Sequence, residues 1–437
     1  MADTMPGRTW SLSEHSLRRS LAGEVHARPY EQIAAPVRAS HLAIVHDGLS
    51  AAEERTFLNE VLAIHGAEAP ADSTNHFTRD LGALRLRWER HTEFSTYTFL
   101  RFDAFEAPFA EPALALVPVE WLERLPGKVM VATHLVVERT ERGPDDIAQL
   151  FDGNPLVASR VVGAAAEVWA DFRLHADGFG RLWVRDRGLT RGQTGRVLQR
   201  LLEIETYRMM ALLAFPPARQ AGSEMTAMDT TLSAIVTELA DPEVDQNDRE
   251  LLERLTGLAA QAERLDATTS FRLGAAQAYW AIVNQRIDDL REERIPGLQT
   301  IREFMDRRLA PAMKTCESAA ERLQILARRV ARAGDLLRTR VDIALEEKNR
   351  DLLRSMNRRA HLQLRLQETV EGLSVVAISY YLLGLVQYGA KGLKGTGLPV
   401  DPDIAALVAL PLILGAVMLG VRRLRRALAG PHDDEDG

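Results

Sequence analysis

Cysteine is almost missing from this chain: Cys316 is the only one in 437 residues. A single thiol rules out an intramolecular disulfide and fits a reducing compartment. Met1–Ser20 has arginines but no apolar run of the length a secretory signal needs, so no signal peptide is expected. No zinc-type spacing of His and Cys occurs, and no Gly-rich phosphate loop accompanies the charged clusters. The net charge of -7 leaves no basic surface broad enough for nucleic acid. Helix breakers are scarce in one place, since between Pro311 and Gly372 the only proline or glycine is Gly334. Most of the chain is therefore expected in the cytoplasm, built around one very long helix.

What is present divides the chain in two. A 46% hydrophobic content over 437 residues suffices for two or three units, each with its own core. Residues 1–186 read as a mixed α/β domain. Ser40–Val45 is a short apolar run before Asp47-Gly48, a strand followed by a turn. Ser50 and Glu53 make a capping box, and Leu58, Val61, Leu62 and His65 follow at helical spacing. Leu84, Leu86 and Trp88 alternate with Arg85, Arg87 and Glu89, as in a strand with one buried face. Phe94–Phe102 alternates too, so a hairpin is expected to turn near His91–Glu93. Lys128–Glu138 is a β-rich run. Ala166–His175 and Phe179–Arg185 flank Asp177-Gly178, a tight hairpin signal.

Residues 187–371 read as helices and a stalk. Thr190–Phe215 is apolar at helical steps and stops at Pro216-Pro217. A shorter helix is expected at Met225–Leu239. Another starts at Asn247 with Glu250, and a further one spans Phe271–Ile295 before Pro296-Gly297. One more runs to Leu309, and Pro311 suits the first turn of the last helix. If that helix reaches Tyr388 it is about 78 residues, or ~117 Å. A stripe that long needs cover from the upstream helices or from copies of itself.

The last helix runs into Gly372–Val386, which carries no charge and with Gln387-Tyr388-Gly389 approaches the ~18–20 residues that span a bilayer. Ile404–Val421 is a second uncharged run, closed by Arg422, Arg423, Arg425 and Arg426. Residues 372–421 are thus expected to form a transmembrane hairpin with spans at about 372–389 and 404–421, and 422–437 a basic then acidic tail. Arg354, Arg358, Arg359 and Arg365 precede the first span, while the loop between spans has only Lys391 and Lys394. The asymmetry puts both termini in the cytoplasm. Ser374, Tyr381 and Tyr388 are seven residues apart, with Gly384 near the same face. Such a stripe faces other helices or a water-filled path, because unsatisfied polar groups in lipid are costly.

Nine of the eleven histidines lie in residues 1–175, yet no metal or other cofactor is expected from their spacing. His41 and His46 should point to opposite faces of their strand. His91 and Glu93 could share a face only if the strand continued through them. Glu24, His26 and Arg28 alternate, so an extended segment would present all three together, to bind an anion or, more readily, to form an internal charge network; a catalytic domain would rest on these three alone. Asp241, Glu243, Asp245 and Asp248 fail the EF-hand pattern and read as a solvated helix start. No enzymatic role is expected.

Four segments carry a resemblance. Leu21–Pro29 (LAGEVHARP), Arg87–Tyr97 (RWERHTEFSTY), Leu202–Met210 (LEIETYRMM) and Thr369–Ser374 (TVEGLS) resemble blocks of a bacterial family of uncharacterised membrane-anchored proteins. The resemblance implies the inner membrane and no known activity. The layout is also similar to that of the CorA-type divalent-cation transporters. These have a cytoplasmic α/β domain, a stalk helix continuing into the first span, a short outer loop and a basic tail, and they assemble as pentamers around a pore. That likeness implies a homo-oligomer in the lipid bilayer, with a pentamer as the form those transporters suggest. Where those transporters carry Gly-Met-Asn at the outer end of the first span, often after Tyr, this chain reads Tyr388-Gly389-Ala390-Lys391. A ring of Lys391 side chains would present positive charge to a cation. The expectation is a membrane-anchored, oligomeric scaffold or sensor, or alternatively an ion transporter of altered selectivity whose outer end is Tyr388, Gly389 and Lys391.

Overall fold

A computed structural model describes residues 13–19, 21–22, 30–46, 48–71, 74–240, 248–395 and 401–428. They form two compact units, Met1–Gly334 and Asp335–Gly437. The class is α+β, with a mixed sheet first, long helices next and two apolar helices at the C-terminal end.

Among the described residues the sheet holds nine strands: β1 (Val37–Val45), β2 (His76–Asp80), β3 (Arg85–Arg90), β4 (Phe94–Arg101), β5 (Lys128–Glu138), β6 (Val157–Val161), β7 (Ala166–Ala170), β8 (Gly180–Asp186) and β9 (Glu293–Arg294). Their order is β2-β3-β4-β1-β5-β8-β7-β6-β9, antiparallel throughout except for β5 beside β8. β1 is central and covered on both faces, so eight of its nine residues are buried. On one face α1 (Ala51–Ile64) seats Leu58, Val61 and Leu62 against Leu42, Leu86, Trp88 and Phe99. The expected capping box starts it, with Ser50 Oγ accepting from Glu53 N and Glu53 accepting from Ser50 N. Trp121, on the single turn α2 (Val119–Leu122), stacks on Phe57 of that helix. Further along the same face, α3 (Pro144–Leu150) packs Ile147 near Trp183. The other face is covered by α4 (Arg191–Leu212), whose Met210 meets Ala43, Phe94 and Val131.

Four expectations need correction. The strands flanking Asp177-Gly178 end at Ala170 and begin at Gly180, so the connection is a nine-residue loop. A tight turn survives inside it, with His175 N bonded to Phe179 O. The rest is held by side chains, because the His175 ring lies 2.7 Å from Asp152 and 3.0 Å from Asp171. The helix expected at Met225 begins ten residues earlier, as α5 (Phe215–Ala240). Pro216 and Pro217 sit in its first turn, where a missing N–H breaks no helical bond. The two helices expected across residues 247–295 are one, α6 (Asp248–Leu290). Thr268 and Thr269 at the supposed junction donate their hydroxyls to carbonyls of the preceding turn, which lets them sit within a helix. Last, after α7 (Ile301–Arg308), the final long helix α8 (Ala310–Gly395) continues past Tyr388 for 86 residues in all.

In the first unit α8 buries Cys316, Leu323, Leu326 and Val330, and Arg329 pairs with Asp229 of α5. The second unit is the rest of α8 with α9 (Pro402–Leu428). From Val341 to Val370 no side chain is buried. Beyond this, two windows are long and apolar enough to cross a membrane, and only 6% and 11% of them are buried, unlike the core helix of a soluble protein. Partial shielding recurs at Val375, Ser379, Leu383 and Ala390 of α8, and at Pro402, Ala406, Ala409 and Ile413 of α9. Each set is one stripe of its helix, the face on which two helices can lie side by side.

Candidate functional site

Strand alternation builds the site. Leu86 and Trp88 of β3 face α1, which turns Arg87 and Glu89 toward α4. On β4 the same parity sends Phe94, Thr96 and Thr98 to that side, and on β1 it sends His41. Between this polar face and α4 lies a cavity of about 370 Å³, with Arg286 of α6 at its border. Gly195 lets α4 close over the cavity. A Cβ there would stand 2.0 Å from the Glu31 carbonyl oxygen, so no other residue fits without moving backbone.

The charged groups form a chain along one wall. Arg87 Nη2 donates to Glu89 at 2.5 Å and Nη1 to Gln199 Oε1 at 3.2 Å. Gln199 donates in turn to Glu203 at 2.7 Å, and Glu203 pairs with Arg286. The opposite end is aromatic. His91 stacks on Phe94 at 4.4 Å, and Tyr207 meets both rings edge-on. His41 spans the floor, with Nδ1 2.8 Å from Thr98 Oγ1 and Nε2 2.9 Å from Thr206 Oγ1. Burial pulls its pKa down to about 3, so it is neutral near neutral pH. Both nitrogens are occupied, which makes His41 a bridge between sheet and helix rather than a proton carrier. Alternating acid, base and amide beside an aromatic end can receive a small polar molecule bearing both donors and acceptors. A larger trough of about 670 Å³ between α5 and α6 is lined mostly by uncharged side chains and offers no such convergence.

The expected site residues fall in three places. Glu24, His26 and Arg28 lie outside the described residues, as do Asp241, Glu243 and Asp245. His91 and Glu93 occupy the β3–β4 turn and diverge. His91 lines the cavity, whereas Glu93 accepts from Tyr279 Oη at 2.6 Å and pairs with Arg272 at 2.6 Å. His41 and His46 do face opposite ways, His46 meeting Ser95 at 2.8 Å and lying 3.8 Å from Glu54 of α1. Among the described residues no group of three or more His, Cys, Asp or Glu could hold a metal ion.

The third place is the first apolar window. Ser374, Tyr381, Tyr388, Gly389 and Lys391 are exposed and Gly384 half-exposed; Ser374, Tyr381, Gly384 and Tyr388 lie on the side of α8 away from its shielded stripe, whereas Gly389 borders that stripe. Ser374 Oγ donates to Val370 O at 2.8 Å, so its polarity is satisfied within the helix. The Lys391 ammonium lies 6.0 Å from the centre of the Tyr388 ring. Ser379, unmarked in the sequence reading, is the buried polar group of this window.

Sequence reasoning missed the cavity because Arg87, Gln199 and Arg286 are far apart in the chain. One signal was present. The segments Arg87–Tyr97 and Leu202–Met210, two of the four that carry the resemblance, supply nine of its nineteen lining residues. The model of a family described as a protein of unknown function (DUF3422) matches residues 13–428. No curated protein matches the chain.

Proposed function

The chain belongs to that family of unknown function, and on that premise we propose that it is a membrane-anchored sensor or scaffold whose α/β unit takes a small polar ligand. The observation that carries the reading is the charged, aromatic-ended cavity over α4 in a chain that also bears two membrane-length apolar helices. Its place is the inner membrane of a bacterium, as a homo-oligomer with two spans. Arginines flank the apolar pair at both ends and only Lys391 and Lys394 lie between, which supports cytoplasmic termini. A tag at Gly437 accessible from outside the cytoplasm would sink this topology. Ligand binding is tested on the full chain in detergent by thermal shift against a panel of zwitterionic and anionic metabolites. A compound that stabilises the wild type and not Arg87→Ala supports the cavity; a panel-wide blank removes the sensor reading and leaves the scaffold.

A second reading, ion transport of CorA-like design with altered selectivity, is favoured by the exposed face of Ser374, Tyr381 and Tyr388. Protein in liposomes that moved neither cations nor anions would dispose of it. Lys391→Asn discriminates further: selectivity or rate changes in a transporter, whereas a plain anchor is indifferent.

A further inference from the structure

An α-helix advances 100° per residue, so positions far apart in α8 can be compared on one wheel. Val341, Leu345, Leu352, Met356, Leu366 and Val370 fall within a sector about 80° wide. All are exposed, Val341 at 39% and Leu366 at 66%. Continuing the same wheel, Ser374, Tyr381, Gly384 and Tyr388 fall in that sector too. The shielded stripe of Val375, Ser379 and Leu383 is centred about 180° away. One line therefore runs along α8, mostly apolar before the first apolar window, where Lys348, Arg359 and Gln363 interrupt it, and polar-aromatic within that window. The side on which α9 can pack is the opposite one.

We infer that copies of this chain associate in parallel along this line, stalk against stalk and first span against first span. The inference rests on the two-span reading given above. A different partner would need an apolar surface in water and a polar-compatible surface in the bilayer, at matching heights on one straight element. A second copy of α8 has that surface by identity, and copies inserted from one side of a membrane can meet only in parallel. The sequence carries the matching repeat. Leu345, Leu352, Leu366 and Leu373 fall on one seven-residue series, with Arg359 the fifth member. Taking that series as the a positions, the flanking e and g residues bring Asp351 to Met356, Arg358 to Gln363 and Arg365 to Val370 of the copy, so no like charges meet across these flanking pairs, and Arg359 faces its own counterpart within the seam. Arg359 within the seam fixes register at a cost in stability. The Ser374–Tyr388 face then lines the axis between copies, while α9 lies outside.

The test is oxidative cross-linking of the full chain in membranes, in a Cys316→Ser background. Leu352→Cys and Leu366→Cys should each give at least ten times more disulfide-linked pairs than Arg354→Cys or His361→Cys on the far side. Equal yields, or none from the stripe, overturn the inference. The mass of the unaltered protein in detergent provides a reading that no variant can spoil: two or more chains per particle supports it and one chain overturns it. Carbonate extraction of the same membranes separates the two readings. Protein retained without stripe cross-links refutes the self-association alone, whereas protein released refutes the hairpin and the inference with it.

Discussion

Acid should loosen the α/β unit at a pH where carboxylates are still ionised. His41 and His134 are buried, and burial lowers their pKa to about 3 and about 4. His134 is held by Ser40 Oγ at 3.0 Å and stacks on Phe179 at 4.1 Å, with no room for a hydrated cation. The unfolded chain protonates each near 6.5, so below that pH it binds more protons than the folded one, and stability falls as pH falls. At ~1.4 kcal/mol per pH unit and per group, the drop from pH 7 to 5 is about 2 kcal/mol each, or ~4 kcal/mol together. All six tryptophans lie before residue 300, so their fluorescence reports this unit alone. With a urea dependence of about 3 kcal/mol per molar, the unfolding midpoint moves down by more than ~1 M. His41→Gln should lose about half of that pH dependence, because it keeps one hydrogen bond to a threonine and cannot be charged. A midpoint that stayed flat between pH 7 and 5, or a His41→Gln protein with the full wild-type drop, would refute the argument.

Other perturbations act on single contacts. Glu54 is 1% exposed and accepts from Trp88 Nε1 at 3.0 Å and Tyr97 Oη at 2.9 Å while pairing with Arg90. Glu54→Gln leaves that guanidinium without its counter-charge and should cost ~3–5 kcal/mol in urea unfolding. Gly195→Ala forces α4 away from the Glu31 backbone and should cost about 1–3 kcal/mol. An unchanged midpoint would show that the cavity wall yields freely there. Ser50→Ala removes one half of the capping box at the exposed start of α1 and should lower stability by only ~1 kcal/mol.

Local chemistry was legible in the sequence, and distant convergence was not. Lys128–Glu138 coincides with β5 because its β-branched run is bounded by Gly127 and a charged turn. The Ser50–Glu53 box was readable because both partners lie within one turn. β2 and β6 went unread: each is five residues with at least one charge inside, and each owes its conformation to a neighbour already in the sheet. The α6 junction was misjudged because threonines argue against helix by propensity, while their hydroxyls satisfy themselves on the backbone. Arg87, Gln199, Glu203 and Arg286 look like solvated charges one at a time. Only the pairing of β3 with β4 and the docking of α4 make them a wall.

An open sheet has two rims, and on this one they are β2 and β9. A protein concentrated on a surface collides with its own copies far more often than one free in solution, and an unpaired strand is a template for joining sheets end to end. β9 offers only two residues, Glu293 and Arg294, both exposed, and β2 ends in Arg79-Asp80. Short, charged rims of this kind resist such polymerisation. Crowded copies can therefore pack closely without fusing into a fibre.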